Sequence, residues 1–354
     1  MPKLTFIQKM GRNSIIFPYF LGCVFLLFSI IIGIAVGTVY VPIHEIIQII
    51  GSAILHIPLK DSADPMNSNI VMDIRMPRVL LAGMVGASLS IAGAAFQGLL
   101  RNPLADPYTL GVSSGASVGA VVTLFFHISI PFLGLLTLPF MSIVGSFFTI
   151  FCVLLFARKM EKAMKVETII LTGIIFSSFF SSFISLIIAL TGDELRQIIG
   201  WLLGSVSMRG WSYVNIILPF FLIGSLLLLT NIKELNAMSL GEERAYHLGV
   251  NVEKRKLFVL IAGSILTGAA VSVSGSIGFV GLVIPHFIRI VWGPNHKKLL
   301  PLSILFGAGF LILADLISRT IIQPTELPIG VVTALIGAPV FAFILMKRKL
   351  GSRG

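Results

Sequence analysis

The sequence predicts an all-α, polytopic membrane protein with about ten transmembrane helices. Three observations carry this. Hydrophobic residues make up 56% of the 354 positions against 12% charged, and the mean hydropathy is +1.00, which excludes a soluble globular domain. Apolar runs of roughly 18–22 residues, long enough to cross a ~30 Å hydrocarbon core, recur along the chain. Lysines and arginines sit between those runs and not on one face, so the net charge of +11 carries no nucleic-acid signal.

The runs fall at about 16–39, 78–99, 108–126, 139–157, 168–190, 213–231, 256–274, 277–292, 301–319 and 329–346, in one transmembrane domain spanning 1–354. Lys3, Lys9 and Arg12 precede the first run, the pattern of a retained span rather than a cleaved signal. The second span carries Ala82, Gly86, Ser90 and Ala94 four residues apart, and the third carries Gly111, Gly115 and Gly119 in the same way. Such rows let helix backbones approach closely in lipid, where the hydrophobic effect does not drive helices together. GVSSGASVGA is therefore read as packing glycine, since no Lys-Ser/Thr phosphate-loop terminus follows it. Cys23 and Cys152 lie inside spans, which predicts free buried thiols without a disulfide or metal site. GASLSIAG (86–93) and GAAVSVSG (268–275) share four of eight positions. They predict an inverted repeat of spans 2–5 and 7–10, with spans 1 and 6 outside it.

Orientation follows from the basic residues. With the N-terminus inside, nineteen lysines and arginines fall in cytoplasmic segments and six in outer ones, with Arg289 within a span. The positive-inside rule therefore places both termini in the cytoplasm.

One long polar island, residues 233–256, interrupts the apolar spans on the cytoplasmic side. Ser239 followed by Glu242 predicts a capping box, and Gly249 a terminator, for a short helix over about 240–248. A capped, charged helix between two spans reads either as an ordinary cytoplasmic loop with a turn of helix or as a docking element, and the rest of the chain favours the second. Charged residues inside spans, the mark of proton and ion relays, are few. Asp315 and Arg319 form a local i, i+4 pair near the outer end of span nine, while His286 and Arg289 approach the inner end of span eight. Arg75-Met76-Pro77-Arg78 is the other anomaly. Pro77 suits the first position of a helix, which sets two arginines at the positive end of a helix dipole on the side where basic residues are scarce. An ordinary interfacial role pairs them with Asp73; a functional role makes them a docking patch for an acidic protein, with Arg319 nearby.

These blocks resemble the FecCD-type permeases, the membrane subunits of ABC importers for iron-siderophores, haem and vitamin B12. The resemblance lies in RMPRVLLAGMVGASLSIAGAAFQGLLRNPLADPYTLGVSSGASVGA (75–120), SLGEERAYHLGVN (239–251), GSIGFVGLVIPHFIR (275–289), LILADLISR (311–319) and ELPIGVVTALIGAPVF (326–341), in that order. It implies a ten-span subunit that dimerises with a second copy or a sister permease. Two cytoplasmic ATPase subunits, which hold the ATP and Mg, would drive it, and an external substrate-binding protein would feed it. It further implies that Ser239, Leu240, Gly241, Glu242, Glu243, Arg244, Ala245, Leu248 and Gly249 couple to the ATPase. Arg75, Arg78 and Arg319 would pair with glutamates of the binding protein. The fifth and tenth spans would line the path, with a gate at Val166 and Glu167. The chain itself would be no enzyme and hold no cofactor or metal. The expected function is import of an iron chelate, a ferric siderophore first, haem or vitamin B12 as alternatives, in a bacterial cytoplasmic membrane. An ion-coupled secondary carrier is the more distant alternative.

Overall fold

The computed structural model describes residues 16–37, 39, 41–55, 64–161 and 165–351. Lys3, Lys9, Arg12, Lys60, Lys162 and Arg353, used above for orientation, lie outside these residues. No strand occurs among the described residues. The helices are α1 (Ile16–Ala35), α2 (Ile43–Leu55), α3 (Pro65–Asn69), α4 (Met76–Leu99), α5 (Val112–Phe125), α6 (Thr137–Met160), α7 (Val166–Leu190) and α8 (Leu195–Leu202), followed by α9 (Gly210–Thr230), α10 (Ile232–Ser239), α11 (Glu242–His247), α12 (Val252–Ser274), α13 (Val280–Trp292), α14 (His296–Thr320) and α15 (Ile329–Gly351). Ten of them, α1, α4–α7, α9 and α12–α15, coincide with the ten predicted runs. Seven helical stretches among the described residues are long and apolar enough to cross a membrane, and α5, α13 and 329–343 are shorter apolar helices.

Two predicted spans are broken. The run at 108–126 begins as a 3-10 turn, Pro107–Leu110, and turns at Gly111 (φ 78) before α5 starts. The run at 277–292 is not helical until Phe279 (φ 69) caps α13. A 13- or 14-residue helix is only about 20 Å long, short of a ~30 Å core. The irregular backbone ahead of both helices is tolerated because it lies inside protein. Tyr108 joins the two breaks: its hydroxyl donates to the Ile277 carbonyl at 2.8 Å and accepts from the Ile277 N–H at 2.9 Å.

The N-terminus of span two also differs from expectation. Helical structure begins at Pro65, continues through a π-helical turn over Ile70–Arg75, and runs on into α4. Pro77 therefore lies within a continuous helix and not at its first turn. A proline ring clashes with the carbonyl four residues earlier, and the wider turn just before it accommodates the ring. Arg75 and Arg78 are consequently not at a free helix N-terminus.

At the centre stand α4 and α12, with 83% and 78% of their apolar windows buried, against 17% for α7. The contact pattern is that of two equivalent blocks. Helix α4 packs on α14 and α13, as α12 packs on α6 and α5. Likewise α5 packs on α6 and α7, as α13 packs on α14 and α15. Equating spans 2–5 with 7–10 maps each pair onto its partner. The small-residue rows make the close approaches: a Cβ at Gly86 would lie 2.2 Å from the Gly307 carbonyl oxygen on α14, and one at Gly93 only 1.9 Å from that of Gly281 on α13. Gly93→Ala is therefore expected to destabilise the bundle by about 1–3 kcal/mol through overpacking. Gly200→Ala on α8, which meets nothing within 4 Å, serves as control; thermal midpoints in detergent check both. Cys23 and Cys152 are free, but Cys23 is exposed on α1 and Cys152 half-buried, because both face outward from the bundle.

Candidate functional site

Two polar regions break the apolar surface, one at the end of the bundle where α4, α14 and α15 meet, the other around α10 and α11. The first gathers Arg75, Arg78 and Arg319, which line one pocket of about 190 Å³ together with Glu326. Arg78 is the hub. Its Nε and Nη2 donate to Asp315 at 2.9–3.0 Å, and its Nη1 and Nη2 donate to the Glu326 carboxylate at 2.8 and 3.0 Å. Both carboxylates thus sit in bidentate geometry, where arginine's fixed fork is strongest. Asp315 is 1% exposed and Glu326 37%. Burial pushes the Glu326 carboxyl up, but the hydrogen bond and charge of Arg78 outweigh it and hold it below the ordinary range.

The other two arginines are anchored differently. Arg75 is buried and donates to the carbonyls of Ile34 and Ala35, at 2.8 and 3.0 Å, and of Val39, which ties the end of α1 to the π turn. Arg319 donates to the Gly33 carbonyl and approaches Asp315 at 3.6 Å. The predicted local Asp315–Arg319 pair is thus the weaker of two, since the fork of Arg78 takes the carboxylate first. Asp73 is exposed, and the arginines' acidic partners are Asp315 and Glu326. Sequence reasoning missed Glu326. It stands two residues before Pro328 at the start of α15, but its partner is 248 positions away, so no local spacing reports it.

In the second region the predicted helix is present but begins differently. Ser239 is the last residue of α10, and its hydroxyl donates to Asn236 O at 2.7 Å. The Ser239–Glu242 capping box does not form, because Ser239 is still helical in α10 with its hydroxyl turned back to Asn236 O. Gly241 occupies the N-cap with φ 121 and ψ 148, a conformation reserved for glycine. Gly249 ends the unit with φ 80 as expected. Glu242 instead pairs with the buried Lys256 Nζ at 2.8 Å, which fixes α11 against the start of α12. Ala245 is buried beneath the helix, while Glu243 and Arg244 are exposed and Leu240, Tyr246 and Leu248 are 57%, 73% and 65% exposed. Glu242, Glu243, Tyr246, Gly249 and Asn251 border a groove of about 790 Å³. A short helix with apolar side chains turned outward beside an acidic groove can seat a partner protein.

Val166 is buried and Glu167 exposed in the first turn of α7. That turn is held by Lys165 to Glu161 at 2.5 Å and by Thr168 to Glu161 at 2.8 Å. Among the described residues no cluster of three or more His, Cys, Asp or Glu could hold a metal ion. His286 is buried against Phe341, ring centroids 5.6 Å apart, instead of snorkelling.

Comparison with known proteins matches the sequence model of the FecCD transport family to residues 25–347. The chain is 59% identical to the uncharacterized ABC transporter permease protein YvrB of Bacillus subtilis (strain 168), covering 97% of each. It is 40% identical to the cobalamin import system permease protein BtuC of Halobacterium salinarum, covering 83% of this chain and 78% of that one. Identity is 37% to the Fe(3+) dicitrate transport system permease protein FecD of Escherichia coli (strain K12), with 79% and 86% covered. A solved structure assigned to a metal-chelate type ABC transporter, in an inward-facing conformation, superposes with TM-score 0.80 at 34% identity, covering 93% of this chain and 98% of that one.

Proposed function

The chain belongs to the FecCD transport family as a permease subunit of an ABC importer, not an enzyme, and from that premise we propose that its cargo is an iron chelate, a ferric siderophore. The match along residues 25–347 carries the premise, and the iron-chelate cargo is the narrower reading. It is supported by a relative that transports Fe(3+) dicitrate and a structural neighbour of the metal-chelate type. Cobalamin is the second reading, favoured by the 40% identical archaeal permease. The ion-coupled carrier is set aside by the family.

In the proposed cycle a second permease copy or a sister permease completes the path, with α7 and α15 lining it and Val166 and Glu167 at the inner gate. Two ATPase subunits, carrying ATP and Mg, seat α11 in the cytoplasm through the exposed Leu240, Tyr246 and Leu248. An external substrate-binding protein docks at the opposite end by acidic side chains directed to the arginine pocket. The protein resides in a bacterial cytoplasmic membrane with both termini inside, as the basic-residue asymmetry supports. ATP binding and receptor docking each favour one of two conformations, and coupling is their shared bias on that equilibrium. Radiolabelled uptake in a deletion strain complemented with this chain tests the cargo. Ferric siderophores are expected to accumulate and cobalamin and haem not to; uptake of cobalamin alone selects the second reading.

A further inference from the structure

Arg78 is already occupied. Its side-on face, Nε and Nη2, holds the fully buried Asp315, while its end-on face, Nη1 and Nη2, holds Glu326 in the bidentate geometry that a foreign carboxylate would need. The two acids differ in what holds them. Asp315 is locked within α14, whereas Glu326 lies on the turn between α14 and α15, half open to the pocket. Besides Arg78, the Ser207 hydroxyl hydrogen-bonds the Glu326 carboxylate, and within the turn the Thr325 hydroxyl donates to Ile322 O at 2.8 Å. The Leu327 N–H donates to Ser318 O at 3.0 Å, the Ser318 hydroxyl donates to Leu327 O, and the Ile329 N–H donates to Gly204 O at 3.0 Å. Three guanidinium groups face two carboxylates here, so among the described residues the pocket keeps one positive charge in excess. It attracts a further acid yet has its best binding face filled.

We propose that Glu326 is an intramolecular stand-in for the docking protein's carboxylate. The incoming acid displaces it from Arg78, and release of Glu326 frees the 321–328 turn and with it the adjoining end of α15. Docking is thereby converted into mobility at the mouth of one of the two helices assigned to the path. The inference rests on the docking reading above.

The assembled importer in nanodiscs, with its cognate binding protein, tests it by two readouts. Glu326→Gln removes the competing charge, so the binding protein is expected to bind about two- to fivefold more tightly, the scale of a partly exposed ion pair. Amide exchange across 321–329 is expected to be faster in Glu326→Gln without any binding protein, and in the unaltered importer to quicken only on docking. Glu326→Asp, which keeps the charge on a shorter arm, is expected to fall between. Unchanged or weaker binding by Glu326→Gln, or exchange that docking leaves untouched, overturns the proposal. A binding protein with its acidic docking residues reversed separates the two ideas. If it binds as well as the unaltered one at every salt concentration, the docking reading fails and the inference falls with it. If it loses affinity while Glu326→Gln gains none, docking stands and the role given to Glu326 is wrong.

Discussion

Arg78→Glu is expected to cost the protein its fold and not only its uptake. The substitution leaves Asp315, 1% exposed, with Arg319 alone at 3.6 Å, and adds a third carboxylate to a pocket built around two. Removing one partner of a buried ion pair costs about 3–5 kcal/mol, a large share of a domain's ~5–15 kcal/mol. The monodisperse yield in detergent should collapse and the thermal midpoint of what remains should fall. Arg78→Lys keeps the charge, but an ammonium cannot serve two carboxylates in fork geometry; it should fold, bind the turn loosely and transport poorly. Wild-type yield and midpoint in Arg78→Glu would show that the network is not structural. Reversal at this arginine is therefore a poor assay of docking, and reversal on the receptor is the cleaner one.

Gly241→Val is expected to abolish coupling while leaving the membrane bundle intact. With φ 121 and ψ 148, Gly241 adopts a backbone that a β-branched residue reaches only at a cost of about 1–3 kcal/mol. The strain falls on a six-residue helix held by the buried Ala245 and the Glu242–Lys256 pair, too little to absorb it. Strain of this size disfavours the native α11 conformation by about 5- to 150-fold. Uptake should drop by that order, and ATPase activity of the assembled importer should cease to respond to loaded receptor. Insertion and thermal midpoint should be unchanged. Glu242→Lys should act in the same direction, by setting a second cation beside the buried Lys256. Normal uptake in both variants would remove α11 from the coupling route.

Much of this architecture was legible in the sequence because it follows from local rules. The apolar run at 78–99 became Met76–Leu99, and the four-residue row through Gly86 met Gly307 where close packing requires it. What was not legible is set by partners distant in sequence. The breaks before α5 and α13 leave the apolar runs unchanged and are fixed by Tyr108 reaching Ile277. Pro77 obeys a first-turn rule that the π turn ahead of it overrides. Ser239 and Glu242 have capping-box spacing, yet α10 already occupies the positions the box would need. The three arginines were recognisable as one group, but their burial and their hold on Glu326 depend on pairings across 237 and 248 residues.

The glycine contacts of α4 have a mechanical consequence. Where Gly86 meets Gly307 and Gly93 meets Gly281, backbone rests on backbone, with no long side chains between to rotate and take up a shift. Packed interfaces of this kind slide little and move together. Helices α4, α13 and α14 therefore form a stator, a part that keeps its shape while the transporter cycles. Displacement during the cycle must then be taken up outside this block, at contacts made by side chains that can rotate.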